Sequence, residues 1–276
     1  MAPMVAAADP ATLHPALWKV TRHRTTIWLF GTIHMLPPDA RWLNGAVAQA
    51  ADNADEIATE IDDADGARTL AALTARQSLP PGERLSTMIS PTMQTALAQR
   101  LAGVSVDIDS KKPWFAAVLL STLPLLRRGF DAHGGVEAQL SAREAARAVR
   151  RTGIETPDEQ FGMLDSLPRA SQIAYLSSVI DDYDQIDAQI TAMFAAWGKG
   201  DATALAQLMN ADAGKDDPVL IDRLITQRNH RFARWIIQRL RRPGRVFMAI
   251  GAGHLAGRGS VRDDLARAGI RVERVQ

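Results

Sequence analysis

Two short apolar runs near opposite ends of this chain do most to limit its fold. Thr26-Ile27-Trp28-Leu29-Phe30 runs into Gly31, and Arg245-Val246-Phe247-Met248-Ala249-Ile250 runs into Gly251. Both have the length and the β-branched and aromatic content of strands. The second is apolar almost throughout, as expected of a strand buried on both faces. Leu17-Trp18-Lys19-Val20 and the polar tetrapeptide Arg22–Thr25 precede the first run and predict a β-hairpin. Glu56–Ile61 reads as a further short strand after an Ala-rich helix over Asn44–Asn53, and Ile270–Val275 alternates as a terminal strand. The expectation is an α/β fold, with a central mixed β-sheet built from the N- and C-terminal segments around a large helical middle section.

That middle, about residues 66–240, carries clear helix signals. Pro91 opens a helix over Thr92–Leu101, and Trp114–Leu126 is apolar nearly all round, as a buried helix would be. Val136–Arg151 is read as a helix ending near Gly153. Thr156-Pro157-Asp158-Glu159 is a capped helix start, with Thr as cap, Pro at the first position and Glu three residues on. Further helices are expected at about 170–197, 201–210 and 218–240, and one over Gly259–Ala268. A tail at 1–15 precedes a single domain at 16–276.

Composition excludes several functions. The chain has 276 residues and no cysteine, so disulfides and thiolate metal sites are ruled out. Lys plus Arg number 32 against 31 Asp plus Glu, a balance that argues against a nucleic-acid binder. The dense basic tract Arg239–Arg245 reads as a solvated helix end. No apolar run reaches the roughly 18–20 residues that span a bilayer. Val5-Ala6-Ala7-Ala8-Asp9-Pro10 resembles the small-residue end of a secretory signal with cleavage before Asp9, which predicts a periplasmic or secreted location; read as an Ala-rich tail, it leaves a cytoplasmic one.

In both apolar runs a histidine follows the terminal glycine by three residues: Gly31-Thr32-Ile33-His34 and Gly251-Ala252-Gly253-His254. Strand ends in an α/β sheet are where ligands bind, and glycine permits the sharp turn that aims the next side chain over the sheet. Imidazole is the commonest metal ligand and an acid or base near neutral pH. Neighbouring strands would bring the two histidines side by side, and a divalent metal would then need a carboxylate as well. Glu60 is best placed for this, with Glu56 and Asp62 close by. Glu155, expected on a loop before the Thr156 cap, is a second candidate. His14, His23, His133 and His230 lack the strand-glycine context. Gly251-Ala252-Gly253 is out of register with a dinucleotide-binding fingerprint.

Together these segments resemble the TraB/GumN family, which includes Tiki-type metalloproteases and pheromone-shutdown proteins. The resemblance rests on Trp28–His34 with Leu36-Pro37, on Ala249–Gly257, and on Pro15–Val20, Glu56–Asp62, Gly153–Thr156 with Glu159-Gln160, Trp197 with Gly200-Asp201, and Arg228-Asn229. It implies a fold related to erythromycin-esterase and haem-binding ChaN-like proteins. It also implies a site of His34, Glu60, Glu155, Arg228 and His254 with Asn229 nearby. One departure is Gly135-Val136-Glu137, where many members carry Gly-x-Asp. The expected activity is metal-dependent hydrolysis of a peptide, amide or ester. His34, Glu60 and His254 would hold Mn²⁺, Co²⁺ or Zn²⁺, Glu155 would act as base, and Arg228 would steady the tetrahedral intermediate. The alternative is a non-catalytic protein that sequesters a peptide signal or a haem.

Overall fold

The computed structural model describes residues 12–63, 66–145, 147, 149–210 and 217–276. The signal-like segment Val5–Pro10 lies outside them. Six strands form one mixed sheet: β1 (Leu17–Arg22), β2 (Thr25–Thr32), β3 (Glu56–Ile61), β4 (Arg150–Glu155), β5 (Gly244–Gly251) and β6 (Glu273–Arg274), in the order β4-β3-β5-β2-β1-β6. Strands β2, β5, β3 and β4 are mutually parallel, so their C-terminal ends share one edge. The β1–β2 hairpin is antiparallel, and β6 closes the far side against β1. The last long strand in the chain therefore sits in the centre of the sheet, with residues 246–250 fully buried.

Two expectations need correction. Arg150–Glu155 is a strand paired with β3, so the predicted helix stops at Glu144 and the sheet takes one strand from the middle of the chain. Glu155 accordingly ends a strand, where a loop was expected. The terminal strand shrinks from Ile270–Val275 to two residues, Glu273 and Arg274, paired with Lys19 and Trp18, and beyond them Val275 and Gln276 N–H both donate to the Leu17 carbonyl.

Each face of the sheet has its own core. On one face α10 (Gln227–Arg239) and α12 (Val261–Arg267) bury Phe232, Ile236 and Leu265 against Ile27, Leu29, Val246 and Met248. On the other, α1 (Gly45–Asp52) and α5 (Val136–Glu144) pack Val47 and Leu140 with Phe30, Phe247 and the aromatic pair Trp42 and Trp197. Trp197 belongs to the long α7 (Arg169–Gly198) and donates its indole N–H to the Gly31 carbonyl at 2.8 Å, tying the helical section to the end of β2. A separate apolar cluster joins α3 (Pro91–Arg100), α4 (Pro113–Arg127) and α7 away from the sheet. The capping box at Thr156 forms as expected and opens α6 (Pro157–Asp165). Among the described residues no helix is long and apolar enough to cross a membrane.

Candidate functional site

The parallel strands deliver the polar residues to one edge. β2 leads to His34, β3 carries Glu60 as its penultimate residue, β4 ends on Glu155, and β5 runs through Gly251 into the short turn bearing His254. Thr32 and Gly251 are register partners, so the two Gly-x-x-His turns lie side by side. Helix α10 brings Arg228 and Asn229, both buried, over the same edge. The turn ahead of α10 widens to a π-helix over Asp222–Thr226, a local irregularity often found at functional sites.

Arg228 is the hub. Its Nε donates to Glu155 at 3.1 and 3.2 Å, and its Nη2 donates to Glu155 at 2.9 Å and to Glu60 at 2.5 Å. Its Nη1 donates to His254 Nε2 at 3.0 Å and to the Leu224 carbonyl at 3.4 Å. All five N–H groups are thereby engaged. The other nitrogen of His254, Nδ1, lies 2.7 Å from Asn229 Oδ1, while the Asn229 amide N–H donates to the Gly259 carbonyl. These bonds fix one tautomer: Nδ1 carries the proton and Nε2 presents a lone pair. Burial pushes the His254 pKa down to about 4, so the ring is neutral.

Glu60 is buried, which alone would raise its pKa, yet Arg228 and the two histidines bring it to about 2. Its Oε1 accepts the Gly251 N–H at 2.6 Å, and its Oε2 accepts from Gln160 as well as Arg228. The bare Cα of Gly251 leaves room for this approach. A Cβ there would lie 3.1 Å from Glu60 Oε1, 3.4 Å from His254 Cδ2 and 4.0 Å from His34 Nε2, so these groups surround one small space.

His34 differs from His254 in exposure, with 64% of its side chain open. Its Nδ1 sits 2.9 Å from Glu137 Oε1, and that carboxylate holds the imidazole above its ordinary pKa. The N-terminus of α5 makes this pairing possible. A Cβ at Gly135 would fall 2.0 Å from the His34 carbonyl, so only glycine lets the helix start there, and Val136 N–H donates to the Ile33 carbonyl. Glu137, noted in the sequence only as a departure from Gly-x-Asp, is thus in direct contact with a site histidine. Burial would raise the Glu137 pKa, but His34 draws it down, so Glu137 is ionised.

Glu155 does not occupy the place expected of a base. None of its side-chain surface is exposed, and Arg228 and Arg231 enclose it. Asn229 likewise faces His254 and not the open space. Glu56 and Asp62 are elsewhere: Glu56 pairs with Arg239 at the opposite end of β3, and Asp62 with Arg151. His230 lies on the surface against Asp264. The open side of the site is a cleft of about 380 Å³ bounded by His34, Glu60, Glu137, Thr69, Arg151 and Gln160.

Among the described residues no group of three or more His, Asp and Glu side chains is spaced to hold a metal. The Arg228 guanidinium lies between His254 Nε2 and Glu60 and takes up both. The donors nonetheless fit a divalent ion in kind. Two imidazoles have Nδ1 occupied by an oxygen partner and Nε2 directed inward, the arrangement that orients histidine ligands, and an ionised carboxylate stands beside them. A nucleotide phosphate does not fit, because the Gly251 N–H is already taken by a carboxylate.

The chain is similar to several known proteins. The TraB/PrgY/gumN family profile matches residues 16–274. The metalloprotease TIKI2 of Danio rerio is 26% identical over 93% of the chain, and that of Xenopus tropicalis 25% identical over 95%. The chain spans only 60% of the length of each. The uncharacterized protein YbaP of Escherichia coli is 27% identical over 84% of the chain and 85% of its own length. No solved structure matches.

Proposed function

The chain belongs to the TraB/PrgY/gumN family, and from that membership and the site's geometry we propose that it is a metal-dependent hydrolase of peptide or amide bonds. The observation that carries this reading is the pair of histidines after adjacent parallel strands, each with Nδ1 engaged by an oxygen and Nε2 turned toward the space beside Glu60, that of His254 accepting from Arg228. His34, Glu60 and His254 would hold the ion, of which Mn²⁺, Co²⁺ and Zn²⁺ all suit mixed nitrogen and oxygen donors. Such an ion supplies Lewis-acid activation of water and polarisation of a carbonyl.

The remaining residues take roles their contacts support. Asn229 and Glu137 orient the two imidazoles. Glu155 and Arg228 form the buried frame that keeps Glu60 ionised and fixed, and Arg228 steadies negative charge at the site through that frame. Glu137 is the acceptor for a water proton: 30% of its side chain is open, against 7% for Glu60 and none for Glu155. With the signal-like segment Val5–Pro10, a periplasmic or secreted location belongs to the same reading.

Metal analysis of the purified wild type beside His34→Ala and His254→Ala tests the proposal. The expected result is metal in the wild type and its loss in both variants with circular dichroism unchanged. Metal retained in both variants would overturn it. So would a wild type that carries no metal and shows no thermal shift with any of the three ions.

A second reading, capture of a peptide or haem without turnover, draws on one observation. Every N–H of Arg228 is satisfied inside the protein, which leaves no free guanidinium donor for a reacting carbonyl. A Soret band after incubation with haem, or tight peptide binding with no cleavage by the metal-loaded protein, would favour it.

A further inference from the structure

The sheet end opposite the cleft carries a group of arginines that the hydrolytic site does not use. The β1–β2 turn presents Arg22 and Arg24, and the turn from α10 into β5 presents Arg241 and Arg242; all four are exposed. The two turns are fastened together. Gly244 N–H donates to the Arg24 carbonyl at 3.2 Å, and the Thr25 hydroxyl donates to the Arg242 carbonyl at 2.7 Å. The Arg239 guanidinium donates to that same carbonyl at 2.7 Å. Between the turns lies a concavity of about 310 Å³ lined by Arg22, His23, Arg24, Arg241 and Pro243.

Charge partners are missing here in a chain that pairs most of its arginines. The nearby acids, Asp55 and Glu56, are held by Arg245 at 2.7 Å and Arg239 at 2.8 Å. Among the described residues none of Arg22, Arg24, Arg241 and Arg242 forms an ion pair. A chain with a formal charge of +1 thus concentrates four uncompensated cations on one blunt end.

We propose that this end docks on an anionic phospholipid surface, its guanidiniums engaging headgroup phosphates. The guanidinium fork suits phosphate oxygens, and a plane of phosphates can meet both turn tips at once. A nucleic-acid duplex fits less well, because the basic surface does not continue as a track: Arg239 and Arg245 are already neutralised. Docking in this way would hold the cleft away from the lipid, since β2 extends about 23 Å from Thr25 to Thr32 at ~3.3 Å per residue.

The test is co-sedimentation of the full chain with vesicles of phosphatidylcholine alone or mixed with phosphatidylglycerol. Binding to the anionic vesicles at low salt and release at high salt are expected. Replacing all four of Arg22, Arg24, Arg241 and Arg242 by Gln should weaken binding by at least about a hundredfold, at roughly fivefold per arginine. Replacing them by Lys should retain most of it and guards against a folding defect. Arg84, Arg127, Arg128 and Arg169, all exposed, changed to Gln together remove the same charge from the helical section and should leave binding intact. The proposal is overturned by no binding to anionic vesicles, by equal loss in the control variant, or by tighter binding to duplex DNA. Complete displacement by inorganic phosphate at an ionic strength where sodium chloride displaces none would also overturn it, in favour of a small-anion site.

Discussion

Strand β3 and helix α10 meet twice through a glutamate and an arginine, and the two meetings do different things. Glu56 pairs with Arg239 at one end, and Glu60 with Arg228 at the other. Four strand residues keep both glutamates on one face, and eleven helical residues, about three turns, keep both arginines on one stripe. At the Glu56 end only Thr152 adds a bond, at 2.8 Å, and Arg150 stands 4.0 Å away. At the Glu60 end the same pair is met by Glu155, His254, Gln160 and the Gly251 N–H, beside an open cleft. Pairing a carboxylate with an arginine is thus a structural habit of this interface. What makes one pair a candidate active site is the convergence of three other strand ends upon it.

Removing each arginine should expose the contrast most strongly. Arg228→Met leaves two buried carboxylates, Glu155 with Arg231 and Glu60 with only the neutral donors Gly251 N–H and Gln160 and the nearby histidines, and should cost about 3–5 kcal/mol in urea denaturation. Arg239→Met strands a single carboxylate that keeps Thr152 and Arg150, so its cost should be clearly smaller. The combined Glu56→Leu and Arg239→Met exchange should return near to wild-type stability and leave metal uptake untouched. Equal costs for the two single variants would mean that the ends are not different in kind.

The histidine partners come next. Glu137→Ala and Asn229→Ala should each weaken metal affinity by about 10–100-fold, measured by calorimetry. Glu137→Asp should recover part of the loss. No loss in either variant would remove orientation of the imidazoles from the argument. Gly251→Ala should lower metal affinity by about tenfold or more, at a stability cost of about 1–3 kcal/mol from overpacking against Glu60. An unchanged affinity would show that the space around Gly251 is not where the ion sits.

The smallest effect is the acid limb of the Glu56 end. Burial would raise the Glu56 pKa, but bonds from Arg239 and Thr152 bring it below its ordinary 4.5. The stability it contributes is therefore fully present above about pH 4.5 and is lost as the pH falls through its lower folded-state pKa. Glu56→Gln should flatten the fall of stability with pH in that window. A limb identical to wild type would show that the ionised pair contributes nothing there.

Much of this arrangement is legible in the amino-acid sequence. β2, β5 and the two histidine turns were visible because buried strands write continuous apolar runs that end in glycine. The Thr156 cap was visible because its bonds join residues three apart. Strand β4 was not, because Arg150–Glu155 lies at the sheet edge, with one buried residue in six, and so lacks an apolar pattern. The contact of Glu137 with His34 crosses 103 residues of sequence and depends on how closely α5 packs, which no local signal records. The family resemblance named Arg228 and Asn229, but their division between carboxylate clamp and histidine support came only from the bond directions.

The central place of β5 has a consequence for the chain as it is made. Until residues 244–251 leave the ribosome, β2 and β3 have no neighbour to share, and His254 does not yet exist. A nascent or C-terminally clipped chain therefore holds His34, Glu60 and Arg228 without the strand that brings them together. Any hydrolytic capacity therefore waits until β5 is made and seated. Truncation ahead of β5 would thus remove the site while leaving most of its residues in the chain.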